Sequence, residues 1–170
     1  GYPMKRLTLL ALILLPLLSS LSAAQPQRPE WIKASELYQK YDDTQDLSYL
    51  QNSLYRCSAF NVVFGALFTR DRPNDSVGSD MQEIGMALQT LGDLAGYKKI
   101  TDNGGIPDKS VLTMGTPLYM GMAENYSQWL NYSYTNFGEY TGDPQIVEEI
   151  TFCRNTIVES VPGIMETLEL

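Results

Sequence analysis

Two cysteines and no histidine bound the chemistry open to this chain of 170 residues. Without histidine there is no Ser-His-Asp or Cys-His nucleophile, no histidine metal site, no H-E-x-x-H zinc protease helix and no haem attached through C-x-x-C-H. Neither a G-x-x-x-x-G-K-S/T loop nor a G-x-G-x-x-G turn stands in the sequence, so nucleotide binding of those kinds has no support. Cys57 and Cys153 fall short of the four ligands of a structural zinc. A disulfide between them is the chemistry they fit, and the sequence calls for no cofactor and no metal.

Acid–base work by paired carboxylates needs no histidine. Glu83, Asp93, Glu124 and Glu139 lie on or beside apolar segments, but nothing in the sequence fixes their mutual distances. Asp71, Asn74, Asp75 and Asp80 gather several oxygens near one loop, as calcium requires. Pro73 occupies the third position of an EF-hand loop read from Asp71, and Ser76 stands where that loop needs glycine. The stretch therefore reads as a polar loop that caps a helix. Arg56 and Arg154 each adjoin a cysteine; a bridge brings them into one region, where Glu149 or Glu159 can pair with them.

An aromatic run, Tyr126, Trp129, Tyr132, Tyr134, Phe137 and Tyr140, is the densest in the chain. Tyr126, Trp129 and Tyr132 step by three and form a stripe, while Tyr134 turns toward another side. A core can use only part of this set, and the remainder is a candidate recognition surface, since tyrosine and tryptophan combine contact area with a polar handle. Gly85, Gly92 and Gly96 lie at steps of seven and four, a flat stripe along one helix side. Each glycine costs roughly 1 kcal/mol of helix stability relative to alanine, so the stripe asks for a close-packed helix or an apolar ligand. Met81, Met86, Met114, Met120 and Met122 supply either core filler or an adaptable apolar wall.

The elements that must position these residues are all helical. Leu47, Leu50, Leu54, Cys57, Phe60, Phe64 and Leu67 repeat at three and four and place one cysteine on a helix from Asp46 to Arg70. Ile146, Ile150, Cys153, Ile157 and Val161 place the other on a helix opened by Asp143-Pro144 and ending near Ser160, where Pro162-Gly163 breaks it. Between them the spacing predicts a helix from Ser79 or Asp80 to about Lys99, then a short helix and a restart around Thr116-Pro117 that reaches about Asn136, with Gly138 at its end. Before them it predicts a short helix over Trp31 to Tyr41, and after them one further turn. No stretch alternates as a strand does. The fold expected is an all-α, irregular up-down bundle of about four principal helices plus short extra ones, with a disulfide stapling the first long helix to the last.

Lys5 and Arg6, the apolar block Leu7 to Leu18 and the small-residue end Ser22-Ala23-Ala24 predict a secretory signal peptide removed before Gln25. Pro16 interrupts the block, which is shorter than the ~20 residues of a membrane crossing. Gly1-Tyr2-Pro3 precede the expected initiator, Met4, and are set aside, so residues 1–24 are leader and residues 25–170 are one helical domain. Removing Lys5 and Arg6 from the 12 basic residues leaves 10 against 20 acidic, a net charge of -10. Such a chain is repelled by nucleic acid and anionic lipid surfaces and suits a basic protein partner. Export agrees with a disulfide and with a periplasmic or secreted location; Asn125 and Asn131 head glycosylation sequons that matter only in a eukaryotic pathway. The expectation is a non-enzymatic interaction protein, such as an inhibitor, immunity factor, chaperone or envelope assembly subunit. The alternatives are a carrier with a glycine- and methionine-lined interior, and a carboxylate-dependent enzyme acting on glycans.

Overall fold

The structure, a computed structural model, describes residues 27–170; the expected leader and its cleavage site lie outside the described residues. The regular elements described are α1 (Ala34–Thr44), α2 (Leu47–Asp71), α3 (Val77–Asp102), α4 (Val111–Met114), α5 (Thr116–Phe137) and α6 (Pro144–Thr151). A π-helical stretch, Phe152–Thr156, continues α6 into α7 (Ile157–Glu159), and α8 (Val161–Thr167) closes the chain. This is the all-α bundle expected, and no strand occurs among the described residues.

α2 is its axis. Asp46 caps it by accepting from the Ser48 backbone N–H at 2.8 Å, as Asx residues do at helix starts. Every residue from Ser53 to Asn61 is buried. A helix buried on all sides is packed by neighbours on all sides, whereas the sequence spacing marked only one apolar face. Burial extends to the polar Ser53, Arg56, Ser58 and Asn61, each of which then needs a partner inside the protein.

α3 folds back along α2 at very short range, and the glycine stripe makes that approach possible. A Cβ added at Gly85 would lie 2.9 Å from the Ser58 carbonyl oxygen, and one at Gly92 would lie 2.6 Å from the Tyr55 ring. Ser58 Oγ donates to the Gly85 carbonyl at 2.5 Å, locking the crossing. α3 starts two residues ahead of the expected cap, because the Asp75 carboxylate accepts from Val77 N–H at 3.0 Å.

Cys57 and Cys153 form the disulfide, their Cα atoms 4.8 Å apart, so α2 is stapled to the π-helical stretch. There the Ile157 N–H bonds to the Phe152 carbonyl five residues back. Asn61 Nδ2 donates both to the Cys57 carbonyl at 2.8 Å and to the Cys153 carbonyl at 3.1 Å, a second tie beside the sulfur bridge. Asp143 caps α6 through the Gln145 N–H at 3.0 Å. Pro162, a helix breaker by sequence, instead sits in the first turn of α8, where proline is tolerated. No helix among the described residues is long and apolar enough to cross a membrane.

Trp31 is not helical. Residues 27–33 form no regular element ahead of α1 and are tied to α6: Arg28 reaches Asp143 at 2.8 Å, Lys33 reaches Glu148 at 2.5 Å, and Ala34 N–H donates to Glu149 at 2.8 Å. These long-range ties override the helical spacing of Trp31, Leu37, Tyr38 and Tyr41.

Candidate functional site

α5 carries most of the aromatic run, and its surroundings divide the run in two. Tyr126 and Trp129 are buried and belong to the core. The Tyr126 hydroxyl accepts from Arg56 Nε at 3.0 Å and donates to Glu149 at 2.5 Å. The Arg56 guanidinium stacks 3.5 Å from the Trp31 ring centre, donates to the Ile32 carbonyl at 2.8 Å and stands 3.5 Å from Glu149. Burial and the nearby Glu149 carboxylate push the Tyr126 phenol well above its ordinary range, with Arg56 opposing. A buried charge needs its counter-charge within reach, and here each group is held by the others.

Trp129 Nε1 donates to Asp143 at 2.9 Å, and Asp143 N–H donates to Ser133 Oγ at 2.9 Å. Burial raises the Asp143 pKa, but bonds from Trp129, the Gln145 N–H and Arg28 outweigh it and hold the carboxyl below its ordinary range. One buried carboxylate thus anchors the N-terminal segment, α5 and the start of α6 together.

The outer residues meet solvent. Tyr134 is 54% and Phe137 46% exposed, while Tyr132 and Tyr140 are half-buried. Gly138 adopts a φ of 78°, a left-handed cap that glycine accepts without strain, and the chain doubles back so that Tyr140 lies 4.8 Å from Tyr134, ring centre to ring centre. The end of α2 supports this pair: the Phe64 and Phe68 rings lie 5.0 Å apart, tilted by 40°, Arg72 lies 5.5 Å over Phe68, and Arg70 donates to the Tyr140 hydroxyl at 3.3 Å. Two shallow grooves flank Tyr140. One, of about 450 Å³, is lined by Val63, Ala66, Leu67 and Leu130; the other, of about 420 Å³, by Phe64, Phe68, Arg72 and Tyr134. Exposed rings beside apolar grooves with a charged rim form the arrangement of an interface centre.

The remaining candidates are dispersed. Glu83, Glu124 and Glu139 are exposed and Asp93 is half-buried. Asp93 accepts from the Tyr55 hydroxyl, and burial raises its pKa although that bond lowers it. Asp71 pairs with Arg70 at 2.8 Å and Asp75 caps α3, and no group of three or more metal-ligating side chains occurs among the described residues. Arg56 pairs with Glu149, whereas Arg154 is half-buried on the π-helical stretch. Met81 and Met122 are buried but Met86 and Met120 are exposed, so these methionines do not share one wall. Gly85 and Gly92 are covered by α2, and a Cβ at Gly96 would strike the Gln51 amide.

Sequence reasoning did not find the α2 contribution to the surface, Phe68, Arg70 and Arg72. A signal was available: Phe64, Phe68 and Arg72 step by four. The tie between Arg28, ahead of α1, and Asp143, at the start of α6, had no signal in sequence at all.

No protein-family model, curated protein or solved structure matches this chain. The functional reading therefore rests on the geometry of the site.

Proposed function

We propose that this protein is an exported, non-enzymatic interaction protein that engages another protein through Tyr134, Phe137 and Tyr140. The observation that carries the reading is the exposure of Tyr134 and Phe137, with Tyr140 half-buried beside Tyr134, at the junction of α2 and α5. Large apolar side chains left in solvent on a well-packed base commonly mark a docking surface, and rigid aromatics lose little conformational freedom on binding. Arg70 and Arg72 are already engaged with Asp71, Tyr140 and Phe68. The acidic surplus of the chain as a whole favours a basic partner through long-range attraction. Export is supported by the leader sequence and agrees with a disulfide that closes most of the domain.

Less supports the alternatives. A carrier needs an enclosed apolar interior, and the glycine stripe is filled by α2 side chains. A glycan-acting enzyme needs two facing carboxyls, and the candidate carboxylates lie apart.

The test is site-specific photo-crosslinking in the native host, with the photoreactive residue at position 134 or, as a control, at Thr90, which is exposed on α3. A discrete crosslinked protein at position 134 that is absent at position 90 and lost in Tyr140→Ala supports the reading. Identical patterns at both positions reject it.

A further inference from the structure

Asn103-Gly104 is the single Asn-Gly step in the chain, and it lies where α3 ends. An asparagine carboxamide is open to attack by the backbone nitrogen of the next residue when that nitrogen is unhindered and free to leave its hydrogen bond. Glycine, having no Cβ, meets the first condition. The other asparagines meet neither. Asn52 and Asn61 lie in α2, Asn125, Asn131 and Asn136 in α5, and Asn155 in the π-helical stretch, so the nitrogen that follows each is fixed in a helical ladder. Asn74 lies in the loop between α2 and α3, but the next residue is Asp75, whose side chain crowds its nitrogen.

Only local ties hold the Asn103 turn. Residues 101–106 are all exposed. Gly104 has a φ of 79°, and a Cβ built on it would meet nothing within 4 Å. Its N–H donates to the Thr101 carbonyl at 3.0 Å, one bond in the last turn of a helix, where fraying opens the backbone without unfolding the core.

We infer that Asn103 is a self-modification site, at which the folded protein converts to aspartyl and isoaspartyl forms. When the last turn of α3 opens, the Gly104 nitrogen attacks Asn103 Cγ and closes a five-membered imide. The Cγ–Nδ2 bond breaks, and its nitrogen leaves as ammonia with the Gly104 amide proton. Water then opens the imide at either carbonyl. Opening at Cγ restores the backbone and leaves aspartate; opening at the main-chain carbonyl routes the backbone through Cγ as isoaspartate. Both products place a new carboxylate beside Asp102 at the negative end of the helix dipole, where it is unfavourable. The isoaspartyl form also inserts a carbon just ahead of the Gly104 and Gly105 N–H groups, which close the helix end onto the Thr101 and Ile100 carbonyls at 3.0 and 2.9 Å. The aged protein therefore carries a weakened join between α3 and α4.

The test incubates the oxidised, processed protein in neutral ¹⁸O water, folded and, in parallel, unfolded in urea, and maps its peptides by mass spectrometry. Expected is a gain of three mass units, from replacement of NH2 by ¹⁸OH, confined to the peptide that holds Asn103 and divided between two products. Conversion is slower in the folded protein than in urea, and Asn103→Gln loses it. Gly104→Val, measured in urea where folding plays no part, slows it by crowding the attacking nitrogen. No conversion of the folded protein over the interval that converts the unfolded chain overturns the inference. Earlier conversion at another asparagine, or an unchanged rate in Gly104→Val, overturns it as well.

Discussion

Replacing Glu149 by glutamine tests whether the interior of this bundle is organised by a charge pair. The side chains of Arg56 and Glu149 are 3% and 2% exposed, so neither ion is screened by salt or solvated from outside. Glutamine keeps the shape of the side chain and an oxygen for Ala34 N–H, but its NH2 group cannot accept from the Tyr126 hydroxyl as the carboxylate does, so the charge and one acceptor are lost together. Removing one partner of a buried pair costs about 3–5 kcal/mol. The cation stacked on Trp31 and the Ile32 carbonyl retain part of the stabilisation of Arg56, which places Glu149→Gln near ~3 kcal/mol, a fall in Tm of roughly 6–12 °C for a domain of this size. Urea unfolding of the oxidised protein, followed by far-UV circular dichroism, measures it. Arg56→Met in the Glu149→Gln background removes the stranded charge, so the double variant loses at least ~1 kcal/mol less than the sum of the singles. A loss below ~1 kcal/mol, with strictly additive singles, would falsify the buried pair.

The disulfide spans 96 residues, and Cys57→Ser with Cys153→Ser lowers the free energy of unfolding by about 2–4 kcal/mol, below the ~4.7 kcal/mol that the chain-entropy account assigns to a loop near 100 residues; denaturant midpoints with and without reductant check it. Gly92→Ala forces a Cβ against the Tyr55 ring at 2.6 Å and destabilises by ~1–3 kcal/mol, whereas Gly121→Ala, with open space around it in α5, stabilises by up to ~1 kcal/mol. Equal effects at the two glycines, read by thermal melting, would show that the α2–α3 approach is not close. Asp143 has a folded-state pKa below its ordinary 3.8, so its contribution is fully present above that value and is lost as pH falls through the lower folded value. Acid titration of stability then gives a flatter curve for Asp143→Asn than for wild type from about pH 4 downward, and parallel curves would remove Asp143 from that role.

Much of the helical layout was legible because it is local. Asp46 and Asp143 announced their helices through capping chemistry, and the three-and-four spacing around Cys57 and Cys153 placed both thiols on helix faces that have to meet. The glycine stripe marked a side of α3, although not which residues of α2 would fill it. What escaped the sequence depends on long-range contacts. Arg56, Ser58 and Asn61 are absent from the apolar spacing of this helix, yet packing on every side of α2 buries them, and each bonds to a residue far away in the chain. Trp31 fits a helical spacing, but Arg28, Lys33 and Ala34 hold its segment against α6 outside any helix. The π-helical stretch has no sequence signature; it occurs where Cys153 must face α2. The aromatic run was visible as a whole, whereas its division depended on Gly138 folding Tyr140 back onto Tyr134 and on the end of α2 lying beneath.

Native mass spectrometry of the processed protein recovered from its own host, wild type beside Tyr134→Ala/Phe137→Ala, tests the central claim most directly. An oxidised chain carrying a protein partner that leaves on denaturation, and a variant that melts like wild type but arrives bare, is the result the account predicts. A bare wild-type monomer, or a partner retained equally by the variant, contradicts it.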